Sequence, residues 1–332
     1  MPLSSHTLQS LLTASEAEAW SSIRDLMAET WLIPYQAGAE LSEVRRREAG
    51  LASLDLLLSH SIWPLWQNFP AGVPRAATQL VKFWETQLGG RAVLLLDSLS
   101  LRELPLLIMA AQSRGFSVHD SAVCASELPP ETTTFAKALG FSSRGALDNN
   151  GAASIAFPGA FTLSHNLPWR DAADAVPPAP NIFCWHHWPD ERLHQLDRAD
   201  GGLEKLFPEM LRQLTGDDFW QFVQRLATGR RLVITSDHGY AATGAFPNVP
   251  AEQKDYLRET FAAQRFRSGA IDANAWLPPL TTTVTTASGL VTFVLGRQKW
   301  QVPGGFPALS HGGLTLMETF VPWIELSLSK KE

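Results

Sequence analysis

Six residues of types that hold divalent cations fall in four short clusters of this chain. Asp97 closes the apolar run Leu94-Leu95-Leu96. Asp190 and His194 stand four apart in Pro189-Asp190-Glu191-Arg192-Leu193-His194. Asp237 and His238 are adjacent in Ser236-Asp237-His238-Gly239, and His311 sits in Ser310-His311-Gly312-Gly313. Three carboxylates and three imidazoles make an oxygen–nitrogen donor set suited to zinc or manganese. A separation of four puts Asp190 and His194 on one face of a helix, where both can grip one ion. Gly239 permits close backbone approach beside the Asp-His pair. Each piece alone has a plainer reading: Asp97 and Asp190 suit helix N-caps, and His311 suits a solvated glycine turn. Together, in this order and after predicted strands, they read as a metal site.

Such residues need a frame. The run 91–96 (RAVLLL) is short, apolar and reads as a buried parallel strand ending at Asp97. Residues 181–187 and 232–235 read the same way and deliver Asp190 and Asp237. Segments 101–114, 203–214 and 218–226 have helical spacing, and 116–118 reads as a further strand. Strands alternating with helices predict an α/β sheet covered on both faces, which places ligands at the carboxyl ends of its strands. Residues 281–286 and 290–295 flank Ser288-Gly289 and predict an antiparallel hairpin. A short helix over 314–320 and a strand over 323–328 follow.

The first 88 residues read as helices over 15–31, 42–60 and 76–88, broken by Pro64, Pro70 and Pro74. Ser15 and Glu18 are spaced for a capping box. Arg45-Arg46-Arg47 reads as a solvated helix face, and the Trp63–Trp66 stretch as packing. The expected division is therefore a helical region over 1–88 and an α/β domain over 89–332. Hydrophobic residues make up 45% and charged residues 18%, enough to bury a large core. A net charge of -6 argues against a generally basic nucleic-acid cradle, although bound cations would add positive charge that this count misses. Two cysteines give no disulfide framework. The first twelve residues lack a signal-peptide pattern, and no apolar run is long enough to span a membrane, so a cytoplasmic location is expected.

The order of these clusters resembles the alkaline phosphatase superfamily, with a spelling similar to the PglZ domain of phage-defence proteins: LLLDSLSLRE, LPPETTTFAKALG, WPDERLH, ITSDHGY and SHGGLTLMETFVP. The resemblance runs from about residue 90 onward. It implies a doubly wound mixed sheet flanked by helices. It also implies two divalent ions, zinc or alternatively manganese, one on Asp97, Asp237 and His238 and the other on Asp190, His194 and His311. The implied nucleophile is Thr132, with Thr133 the alternative register. Attack on phosphorus would give a phospho- or nucleotidyl-threonine that water then hydrolyses, with no separate general base. Related domains often carry an arginine three residues after the first aspartate. Ser100 stands there and Arg102 follows, which leaves that phosphate contact open. Glu318 matches a frequent acidic position, or else serves as a helix first-turn charge. His186 and His187 read as sheet-end residues. Cys124-Ala125-Ser126-Glu127-Leu128 is not a sulfatase nucleophile segment. The implied activity is phosphodiester hydrolysis on nucleotides or nucleic-acid-like substrates, in phage defence. The alternative is a non-catalytic component of a BREX-like defence assembly with partner proteins.

Overall fold

The computed structural model describes residues 9, 11–86, 89–151, 155–196, 202–245, 250–262, 264–272, 275–299 and 308–329. Three helices open the chain: α1 (Glu16–Trp31), α2 (Glu40–His60) and α3 (Ala76–Glu85). Ser15 caps α1 with the reciprocal bonds that its spacing predicts. Its hydroxyl accepts from the Glu18 N–H, and the Glu18 carboxylate accepts from the Ser15 N–H. The third helix stops short of its expected end, and Gln87 and Leu88 lie outside the described residues. So does most of the segment inspected for a signal peptide, residues 1–8.

The next elements are β1 (Arg91–Leu96), α4 (Leu104–Ser113), β2 (Phe116–Ala125), α5 (Thr132–Ala138), β3 (Phe161–His165), α6 (Trp169–Asp174) and β4 (Asn181–His186). They are followed by α7 (Asp190–Gln195), α8 (Leu203–Thr215), α9 (Asp217–Ala227) and β5 (Arg231–Thr235). The last stretch holds α10 (Ala251–Phe261), β6 (Phe266–Ser268), the hairpin β7 (Thr281–Thr286) and β8 (Gly289–Val294), then α11 (Leu316–Thr319) and β9 (Phe320–Leu328). The central sheet runs β2-β9-β5-β1-β4-β3. β1 lies parallel to both β4 and β5, and β3 parallel to β4. β9 is antiparallel to β2 and β5, so the sheet is mixed.

Along β1, Ala92, Leu94 and Leu96 face one core and Val93 and Leu95 the other. The period-two alternation of a strand places helices on both faces. The first core also takes in α1 and α2, and the second takes in α3. Trp20 of α1 lies against Trp66, Phe69 and Phe320, with ring centroids 4.9, 4.8 and 6.3 Å away. Among the described residues, no helix is long and apolar enough to cross a membrane.

Three expectations change. The strand expected at 116–118 continues to Ala125 and forms a sheet edge; polar Ser117, His119, Asp120 and Ser121 hide its strand character. Arg47 is not on a solvated face. It is buried, donates to the Ile33 and Pro34 carbonyls and lies over the Tyr35 ring, whereas Arg45 and Arg46 are exposed. Of the two tryptophans at 63 and 66, only Trp66 is core.

Candidate metal centre

β1 lies at the centre of the site, because its two neighbours β4 and β5 lead to Asp190, His194, Asp237 and His238. The backbone stitches the three strand ends together. Asp97 N–H donates to the His186 carbonyl at 3.0 Å, and Asp190 N–H donates to the Asp97 carbonyl at 3.1 Å. On the β5 side, Ser98 N–H donates to Asp237 Oδ1 at 3.0 Å and the Ser236 hydroxyl to the Leu96 carbonyl at 2.9 Å. His311 arrives from a distant segment, held by pairing of Leu309-Ser310 with Ala241-Ala242 just past the Asp-His pair.

These ties bring all six predicted donors together. Asp97, Asp237 and His238 each offer an atom within 4.8 Å of the other two, and so do Asp190, His238 and His311. His238 Nε2 is 3.3 Å from Asp237 Oδ2 and 3.7 Å from Asp97 Oδ1. Asp190 Oδ2 is 3.3 Å from His194 Nε2, and its Oδ1 is 3.5 Å from His311 Nε2. The two imidazole Nε2 atoms of His194 and His311 are 3.5 Å apart. Tetrahedral zinc with bonds of about 2.0–2.1 Å spaces its donors about 3.3 Å apart, close to the shorter of these separations. His238 Nδ1 bonds the Gly239 carbonyl at 3.1 Å, which leaves the Nε2 lone pair aimed at the carboxylates. Asp237 Oδ2 and Asp190 Oδ1 are buried and accept no hydrogen bond among the described residues; each lies beside an imidazole nitrogen. The grouping differs from expectation in one respect. His238 reaches both clusters, whereas His194, with its side chain 62% exposed, stands at the rim.

The electrostatics tell the same story. Burial pushes the Asp97 carboxyl well above its ordinary range, and the neighbouring Asp237 and Asp190 charges push further. Burial works against the charged form of His238, but Asp237, Asp97 and Asp190 outweigh it and raise its pKa. Burial and then His238 push His311 down to about 3. The three crowded carboxylates draw on the cations beside them, Arg144 on Asp97 and the imidazoles on Asp190 and Asp237, and a divalent cation would supply that positive charge more directly.

Thr132, at the first turn of α5, points into this pocket. Its hydroxyl lies 3.3 and 3.4 Å from the two Asp97 oxygens and 3.5 Å from His238 Nε2. Thr133 is exposed, and Thr134 donates to Glu131 Oε1 at 2.9 Å.

Two further residues touch Asp97 that the sequence did not single out. Trp185 Nε1 donates to Asp97 Oδ2 at 3.1 Å, and the Arg144 guanidinium pairs with the same oxygen. Arg102 does not face the pocket. It is fully buried and is held by Glu48 and the Tyr240 carbonyl. Glu318 is likewise internal: it accepts from the Gly313 N–H at 2.9 Å and the Thr315 hydroxyl at 2.7 Å. His186 and His187 are sheet-end residues, bonded to the Leu167 carbonyl and Ser164.

No family model matches the chain, and no curated protein does. Among solved structures, murine ectonucleotide pyrophosphatase/phosphodiesterase 5 is similar with a TM-score of 0.46 and 12% identity, over 71% of this chain and 87% of that one. An inactive form of the same murine protein in complex with AMP gives 0.45 and 14%, with the same coverage.

Proposed function

We propose that the chain is a metal-dependent phosphoester hydrolase that uses Thr132 as its nucleophile. The observation that carries this is the Thr132 hydroxyl, set within 3.5 Å of three donor atoms of a carboxylate–imidazole cluster. Asp97, Asp237 and His238 would hold one ion, and Asp190, His194 and His311 the other, with His238 between them. Such ions, when bound, lower the pKa of a coordinated hydroxyl and offset charge on the phosphoryl oxygens. Thr132 Oγ then attacks phosphorus as the bond to the leaving alcohol breaks, and water frees the phosphoryl group and restores the hydroxyl. Trp185 fixes the Asp97 carboxylate. Once a cation occupies Asp97, Arg144 is free to pair with a phosphoryl oxygen.

Donor chemistry supports zinc, with manganese the alternative. The motif resemblance to PglZ domains supports a diester substrate such as a nucleotide or nucleic-acid strand and a role in phage defence, in a cytoplasmic setting. The test is acid quenching during turnover of bis-p-nitrophenyl phosphate, followed by peptide mass mapping. The phosphoryl adduct is expected on Thr132. An adduct on Thr133 would move the nucleophile by one residue, and steady turnover with no adduct on any threonine would overturn the covalent route.

A further inference from the structure

The loops that carry Asp237, His238 and His311 are both fastened to one N-terminal helix by buried ions. α2 turns Glu48 and Asp55 inward, where they are 7% and 3% exposed. On the first branch, Glu48 pairs with the fully buried Arg102 at 2.8 Å. Arg102 Nη1 in turn donates to the Tyr240 carbonyl at 2.9 Å, two residues beyond His238. On the second branch, Asp55 Oδ1 accepts from the Leu316 N–H at 2.8 Å, at the start of α11. Glu318 of that same short helix holds the Gly313 N–H, two residues beyond His311, and pairs with buried Arg265 at 3.3 Å. Arg297 joins the branches by pairing with both Glu48 and Asp55.

Neither Glu48 nor Asp55 touches a donor atom of the cluster among the described residues. Packing of this kind does not favour ions for stability alone, since apolar residues of similar volume serve as well or better. A network with fixed partners and directions instead selects one arrangement of the loops it ties. Metal donors need that selection, because a small displacement loses the ion.

We infer that Asp55 and Glu48 are positioning residues, and that α2 sets the two donor loops of the centre from outside it. Asp55 acts on His311 through α11 and Glu318. Glu48 acts on the Asp237-His238 turn through Arg102 and Tyr240. The inference rests on the metal reading of the site.

The test is a cobalt(II) titration of the full chain, followed by visible absorption, on wild type, Asp55→Asn and His311→Ala. Metal-free melting temperatures check that each variant folds. Arg297→Lys repeats the test in a milder background, because it keeps the charge but cannot fork to both carboxylates. Wild type is expected to take up two ions. Asp55→Asn should bind one of them about 10–100-fold more weakly, the same ion whose spectrum His311→Ala removes. Unchanged affinity for both ions in Asp55→Asn and Arg297→Lys would overturn the positioning role. Equal weakening of both ions in Asp55→Asn would overturn it too, as general loosening, whereas Arg297→Lys, which serves both branches, is expected to weaken both. A wild type that takes up no cobalt would instead remove the metal reading itself, and the positioning role with it.

Discussion

Asp97 is the residue on which the site turns. One carboxylate meets the Thr132 hydroxyl, the Trp185 indole, the Arg144 guanidinium and His238, and it does so fully buried. Arg144 matters for a reason opposite to a ligand's. In this arrangement it supplies the cationic partner that a metal would replace, and release from Asp97 leaves it beside the attacking oxygen. Arg144→Ala should therefore cut kcat/KM by about 10–100-fold, the value of a charge-assisted hydrogen bond, while metal affinity stays the same or rises. Steady-state kinetics alongside metal titration checks this; weaker metal binding in the variant would assign Arg144 to the scaffold. The grouping of the six candidate donors was legible in the sequence because strand ends, close spacing and a fixed order all pointed the same way. Arg144 was not. It sits at the start of a 3-10 helix (Arg144–Asn150), 47 residues from Asp97, and only the fold brings the two together. Trp185 lies inside an apolar strand that reads as core. Its ring is indeed core, and only its N–H serves the site.

At the level of elements, three parallel strand ends provide the floor and two turns provide the walls. The Ser236–Tyr240 turn packs so tightly on α11 that a Cβ on Gly239 would lie 2.2 Å from the Met317 carbonyl oxygen. Gly239→Ala should push the Asp237-His238 pair off α11 and destabilise the fold by about 1–3 kcal/mol, read by urea unfolding. A variant of wild-type stability would mean that the turn yields freely. The sequence pointed to close backbone approach at Gly239 but not to α11 as the partner. It also gave the strongly patterned elements: α1 through its capping box, β1 and β5 through their apolar runs, and the β7–β8 hairpin through its turn. It did not single out β3, which is five residues long with a polar end, or α10, whose described buried residues are Leu257 and Phe261. Glu318 could not be resolved between its two readings, because its partners Gly313, Thr315 and Arg265 are set by the tertiary fold.

At the level of the whole molecule, the helical region and the sheet are packed as one. Trp20 meets Phe320 at the start of β9, and the Tyr35 hydroxyl donates to the Arg102 carbonyl at 2.7 Å. The change of rhythm between the helical start and the α/β remainder was visible in the sequence; the shared core and the buried ions were not, since periodicity reports which face is apolar and not what it meets. The account as a whole stands on a metal centre that serves Thr132. Its most direct test is metal content by mass spectrometry, paired with bis-p-nitrophenyl phosphate hydrolysis, on wild type and Thr132→Ala. The account predicts about two ions per chain in both proteins and hydrolysis in wild type alone. A metal-free wild type, or a Thr132→Ala protein that hydrolyses the ester as fast as wild type, would contradict it.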